Sequence, residues 1–209
     1  MNKVVIIASG PIDNLNALKS ELVDAYIVSV DGGLNHLHSI GVKPHVIIGD
    51  FDSVDKNLLS TYADVKTYSH PTRKDRTDSE IAIDYAIDMK PKEVILMGMT
   101  GHRIDHMMTN IHLLKRFWNH DILAYVLDNN NKIYYCSGDM NLEGDIGDLL
   151  SIIPISQSIH GVKTFGLEYP LNHETLHFHE SRGVSNVFYT KKVRIETDSG
   201  EFFIILSKD

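Results

Sequence analysis

The stretch Glu93-Val94-Ile95-Leu96-Met97-Gly98-Met99-Thr100-Gly101-His102-Arg103-Ile104-Asp105-His106-Met107-Met108 changes its hydrophobic rhythm in the middle. Up to Met97 it is a short apolar run, the length of a buried strand. Beyond Arg103 the apolar residues Ile104, Met107, Met108, Ile111, Leu114 and Phe117 recur at helical spacing, which predicts a helix over 104–118. A glycine-bearing turn joins the two. A strand passing through a tight turn into an amphipathic helix is one step of a parallel, helix-covered sheet.

The same alternation extends outward through the first 128 residues. Strands are predicted at 4–8, 25–30, 45–48, 65–68, Glu93–Met97 and 122–127, and a second clear helix at 79–88. The strand runs are apolar throughout rather than alternating, as expected where both faces of a sheet are covered. A mainly parallel, doubly wound α/β domain over 1–128 follows.

After Asn129-Asn130-Asn131 the pattern changes. Strand-like pieces at 132–136, 148–153, 161–165, 184–189, 192–197 and 201–206 are separated by Gly, Pro, Asn, Asp and Ser, with no convincing helix among them. Short strands at this density predict a small all-β sandwich or barrel over 129–209. Asp198-Ser199-Gly200, between two strands, has the composition of a hairpin turn.

Composition narrows the function classes. Of 209 residues 43% are apolar and 23% charged, and the net charge of -8 lacks the basic face that nucleic acid or an anionic membrane would require. The single Cys136 excludes an intramolecular disulfide and fits a reducing compartment. Val4-Val5-Ile6-Ile7-Ala8 is too short for a signal segment or a membrane span, so a cytoplasmic protein is expected.

Three charged clusters fall where strands should end. In Gly49-Asp50-Phe51-Asp52-Ser53 the carboxylates two apart point to one side of an extended segment and can share a hard cation; taken alone, this could equally be an Asp-rich turn. In Lys74-Asp75-Arg76-Thr77-Asp78-Ser79-Glu80, Thr77 and Glu80 have capping-box spacing, which puts Asp78 in the first helical turn and Asp75 in the loop before it. Capping leaves Lys74, Asp75, Arg76 and Asp78 unexplained; their mixed charge suits metal and phosphates, or else a charged helix start on the surface. The third cluster is the turn Gly98–His106, whose free N–H groups and Arg103 suit phosphate oxygens. Asp31-Gly32-Gly33 after the second strand is a similar, weaker signal. Neither a G-x-x-x-x-G-K-[ST] loop nor a G-x-G-x-x-G turn occurs in the chain.

Together these segments resemble the thiamine pyrophosphokinases of bacteria. Asp31-Gly32-Gly33-x-Asn35, Gly49-Asp50-Phe51-Asp52-Ser53, Lys74-Asp75-x-Thr77-Asp78 and Gly98-x-x-Gly101-x-Arg103-x-Asp105-His106 occur in that order. The likeness continues through Gly147-Asp148-x-x-Ser151-x-Ile153-Pro154, Gly166-Leu167-x-Tyr169-x-Leu171 and Ser185-Asn186. The chain departs at His102, where bacterial members usually carry glycine.

The resemblance implies an ATP-binding α/β domain, a thiamine-binding all-β domain and a homodimer whose active sites are shared between subunits. Asp50, Asp52 and Asp78 would hold Mg²⁺, or Mn²⁺ in its place, on the ATP phosphates. Asp75, Arg103 and Asp105 would line the same cleft. Asp31, Gly32, Gly33, Asn35, Lys74, Thr77 and Gly101 would meet the nucleotide. Ser185 and Asn186 would hydrogen-bond the thiamine pyrimidine, and Tyr169 would stack on a substrate ring. Two alternatives remain at this point: a pyrophosphokinase for another heteroaromatic alcohol, and a non-catalytic nucleotide- or thiamine-binding module. A zinc site built on His177 with His179 or His102 with His106 is disfavoured, since neither Cys partners nor an H-E-x-x-H pattern accompany them.

Overall fold

The computed structural model describes residues 1–49, 56–69 and 75–208. The chain forms two units, Met1–Asn129 and Asn130–Asp209.

In the first unit the chain runs β1 (Lys3–Ile7), α1 (Leu15–Glu21), β2 (Tyr26–Val30), α2 (Gly33–Ser39), β3 (Val46–Gly49), α3 (Lys56–Thr61) and β4 (Lys66–Ser69). It continues through α4 (Asp78–Asp88), β5 (Glu93–Met97), α5 (Ile104–His112), α6 (Leu114–Trp118) and β6 (Leu123–Leu127). The six strands lie in the order β6-β5-β1-β2-β3-β4, and every neighbouring pair is parallel. Consecutive residues of β1, β2, β3 and β5 are buried, although their side chains alternate between the two faces, so both faces are covered. All six predicted strands agree with the observed ones to within one residue.

The helices match less closely. α1, α2 and α3 have seven, seven and six residues, too few turns to leave a periodic trace in the sequence. The helix predicted over 104–118 is interrupted at Leu113, which closes α5 and opens α6. Leu114 and Phe117 of its apolar stripe are buried, whereas Ile104 is 65% and Met108 52% exposed. No described helix is long and apolar enough to cross a membrane.

The second unit comprises β7 (Asn131–Cys136), β8 (Met140–Glu143), β9 (Leu149–Pro154), β10 (Ser158–Phe165), β11 (Asn172–His177), β12 (Asn186–Val187), β13 (Lys192–Glu196) and β14 (Phe202–Ser207). They form two antiparallel sets, β12-β9-β14-β7 and β11-β10-β13-β8. Burial alternates along β9 and β13, which marks one covered face and one wet one. The predicted hairpin at Asp198-Ser199-Gly200 does not form. β13 pairs with β10 and β8, while β14 pairs with β7 and β9, so the turn carries the chain from one sheet to the other. Its Asp198 and Ser199 instead exchange backbone hydrogen bonds with His160.

Candidate active site

Strand order locates the site. From central β1 the chain steps outward through β2, β3 and β4, then returns to β5 on the other side of β1. The loops after β1 and β5 therefore diverge at their carboxyl ends, and an open parallel sheet binds ligands at such a switch point. A cavity of about 650 Å³ lies there. The β1 loop (Ser9, Gly10, Pro11) and the β5 loop (Gly98 to Arg103) wall it, with Asp31 beyond β2, Thr77, Asp78 and Ser79 at the start of α4, and Asn110 on α5.

The two loops are stitched together. Ala8 N–H donates to Met97 O at 2.9 Å and Gly10 N–H to Gly98 O at 2.8 Å, extending the strand pairing past the last strand residues. A Cβ at Gly10 would collide with the carbonyl oxygen of Thr100, so only glycine allows this approach. His36 Nε2 donates to Gly10 O at 2.8 Å, and Asn110 Nδ2 donates to Met99 O at 2.9 Å. Each loop is thus braced by a helix.

Of the predicted nucleotide and metal residues, Asp31, Thr77, Asp78, Gly101 and Arg103 line this cavity. Thr77 caps α4, its hydroxyl accepting the Glu80 N–H at 3.2 Å, and places half-buried Asp78 in the first turn. Gly32 and Gly33 are buried at the start of α2, and Asn35 is exposed on it; none of the three lines the cavity. Asp75 is exposed and also outside the cavity lining. Asp50, Asp52 and Lys74 lie outside the described residues. Among the described residues no three His, Cys, Asp or Glu side chains come together as a metal-binding group. The two carboxylate residues Asp31 and Asp78 do line one cavity and are hard oxygen donors of the kind Mg²⁺ takes.

Arg76 has another role. It donates to Glu80 at 3.0 Å and pairs with Asp84, and Arg116 binds the same two carboxylates at 2.5 Å each. This four-residue network braces α4 against α6, so Arg76 serves the helix rather than the phosphate-type site that its sequence neighbours suggest.

Arg103 and Asp105 form a two-pronged pair, with Nε to Oδ1 at 3.2 Å and Nη2 to Oδ2 at 2.6 Å. The guanidinium holds the Asp105 carboxyl down at about 2. Arg103 is a cavity residue, and Asp105 fixes the direction of its planar head.

In the second unit, Tyr169 is 58% exposed and Ser185 is exposed, while Asn186 is buried. Ser185 has a positive φ of 56°, and its N–H donates to Ser151 Oγ at 3.0 Å. Asn186 Oδ1 accepts from Tyr169 N–H at 3.1 Å, and its Nδ2 donates to Tyr169 O at 2.7 Å. The three predicted thiamine residues thus belong to one connected loop pair.

Sequence reasoning missed Ser9-Gly10-Pro11, His36 and Asn110. The available signal was the position of Ser9-Gly10-Pro11 directly after the first strand, which becomes informative only once that strand is known to be central.

Comparison with known proteins agrees with this architecture. Residues 19–126 match the thiamin pyrophosphokinase catalytic domain, and residues 139–201 match the thiamin pyrophosphokinase vitamin B1 binding domain. The chain is 29% identical to the thiamine pyrophosphokinase of Bacillus subtilis (strain 168) across all of both proteins. It is 29% identical to thiamin pyrophosphokinase 1 of Caenorhabditis elegans, over 86% of this chain and 78% of that protein. The crystal structure of the Bacillus subtilis enzyme superposes with a TM-score of 0.90 at 28% identity, covering 100% of each chain. That of thiamin pyrophosphokinase from Geobacillus thermodenitrificans gives 0.86 at 27% identity, over 99% of this chain and 98% of that one. With a catalytic-domain match spanning more than half its length and the vitamin-binding match following in order, this chain belongs to the thiamin pyrophosphokinase family.

Proposed function

We propose that this enzyme transfers a pyrophosphoryl group from ATP to the hydroxyl of thiamine, giving thiamine diphosphate and AMP. The observation that carries the reading is the switch-point cavity, with its glycine turns, Asp31, Asp78 and Arg103, in the unit that matches the catalytic domain. Backbone N–H groups at the start of α4 and α5 suit phosphate oxygens. Arg103, oriented by Asp105, meets the charge that develops on the transferred group. The thiamine oxygen attacks the β-phosphorus of ATP, the bond to the α,β-bridging oxygen breaks, and the hydroxyl proton is released. Asp78, with Asp50 and Asp52, would hold Mg²⁺ or Mn²⁺, which when bound neutralises phosphate charge. Asp75 joins the same cleft in this reading, Asp31, Gly32, Gly33, Asn35, Lys74, Thr77 and Gly101 serve the nucleotide, and the enzyme works in the cytoplasm.

Thiamine is read onto Tyr169, Ser185 and Asn186 of the second unit, which matches the vitamin B1 binding domain. We further propose a homodimer in which one subunit's β unit completes its partner's cavity; exposed Ile104 and Met108 on α5 supply apolar surface suited to burial against a second copy. Two impaired variants, Asp78→Asn and Asn186→Ala, test both parts when mixed under confirmed subunit exchange. At thiamine well below the wild-type KM, each alone makes little thiamine diphosphate from Mg-ATP and thiamine. In mixed dimers one site carries both lesions and the other none, so about a quarter of wild-type activity returns. No return of activity would place each site within one chain, and full activity of Asp78→Asn alone would remove the metal reading.

A further inference from the structure

Asn186 is only 7% exposed, and its carboxamide is engaged at both ends by the backbone of Tyr169, through that residue's N–H and its C=O. Its Oδ1 also accepts the N–H of Val187 at 2.9 Å. Three donated or accepted bonds leave one amide hydrogen, on a side chain that is otherwise enclosed.

The Tyr169 loop is fixed along its whole length. Glu168 N–H donates to Val187 O at 2.9 Å, and Tyr189 and Thr190 N–H donate to Gly166 O at 2.9 and 3.1 Å. At the other end Leu171 N–H donates to Thr164 Oγ at 2.8 Å. On this firmly held backbone, the Tyr169 ring stands 58% exposed. Holding a contact ring before its ligand arrives lowers the ordering cost of binding.

We infer that Asn186 is a positioning residue for the substrate ring contact: it acts through Tyr169, whose backbone N–H and C=O it clamps, and not through its own contact with thiamine. This rests on the reading that Tyr169 faces thiamine. The geometry supports it because a buried amide bonded to both the backbone N–H and the backbone C=O of one residue is disposed to hold that residue's backbone, whereas a direct ligand contact requires accessible polar atoms.

The test is a double-mutant cycle on the thiamine KM, with the ATP KM measured alongside. Tyr169→Ala should raise the thiamine KM about five- to tenfold, the range expected for one ring–ring contact, and Tyr169→Phe far less. Asn186→Ala should raise it by no more than Tyr169→Ala does, with the ATP KM unchanged. The double variant should match Tyr169→Ala alone. Asn186→Asp keeps the acceptor oxygen but turns the donor facing the Tyr169 carbonyl into a second acceptor; it should behave like Asn186→Ala and serves if the alanine variant does not fold. Effects that multiply in the double variant would show that Asn186 touches thiamine independently and would overturn the inference. A purely structural role would lower the active fraction and leave both KM values unchanged, which also overturns it. If Tyr169→Ala itself leaves the thiamine KM unchanged, the reading of Tyr169 as a thiamine contact has failed, and the inference falls with it.

Discussion

The carboxylate of Asp31 occupies the space that a side chain at residue 49 would fill: a Cβ on Gly49 would collide with Asp31 Oδ1. Asp31 N–H also donates to Ile48 O at 3.0 Å. The acidic turn after β2 and the glycine that precedes Asp50 are therefore in contact, which brings two separate segments of the expected phosphate and metal machinery together.

Gly49→Ala should break this contact. Gly49 has a φ of 153°, so an alanine meets both backbone strain and the Asp31 carboxylate. Strain of this kind amounts to roughly 1–3 kcal/mol. We expect a lower Tm and a raised ATP KM, with the thiamine KM changed much less. A variant with the wild-type Tm and ATP KM would show that the Asp31 position is not set by this contact.

Arg103 keeps Asp105 ionised to about 2, below its ordinary value of 3.8. A carboxyl depressed in the folded state contributes stability above its unfolded value and loses it as pH falls through the folded one. The Arg103–Asp105 pair should thus stay charged from neutral pH down to about 4 and come apart only as pH falls through about 2. Both side chains are exposed, so the effect on global stability is small. Carbon-detected NMR titration should find the Asp105 midpoint low in the wild type and near the ordinary value in Arg103→Gln. An unchanged midpoint in that variant would assign the shift to another cause.

Cys136 lies at the end of β7 with no exposed surface, and burial pushes its thiol up to about 12. Thiolate, not thiol, reacts with alkylating and disulfide reagents. At pH 8 the folded enzyme should therefore resist iodoacetamide, and one thiol per chain should become reactive only on denaturation. Rapid labelling with full activity retained would contradict this burial.

The parallel sheet was legible because its strands are apolar on both faces and need only be counted. The missed strands, β8 (Met-Asn-Leu-Glu) and β11 (Asn-His-Glu-Thr-Leu-His), lie at the two edges of their sheet, where polar residues replace an apolar signal. Thr77 and Asp78 were legible through capping chemistry, which is local in sequence. Arg76 was misleading for the opposite reason: its partners Glu80 and Asp84 share the next helix, but Arg116 comes from a segment far along the chain. The bracing of Gly10 by His36 and the clamp of Asn186 on Tyr169 join residues 26 and 17 positions apart, and no local pattern marks such pairs.

Pyrophosphoryl transfer is the central claim, and its products separate it from ordinary kinase chemistry. Attack at the β-phosphorus releases AMP, whereas attack at the γ-phosphorus releases ADP. With thiamine, ATP and Mg²⁺, phosphorus NMR of the reaction mixture should show AMP and thiamine diphosphate rising together in equal amounts, with no AMP formed when thiamine is omitted. Formation of ADP with thiamine monophosphate, or no turnover by folded enzyme, would contradict the account.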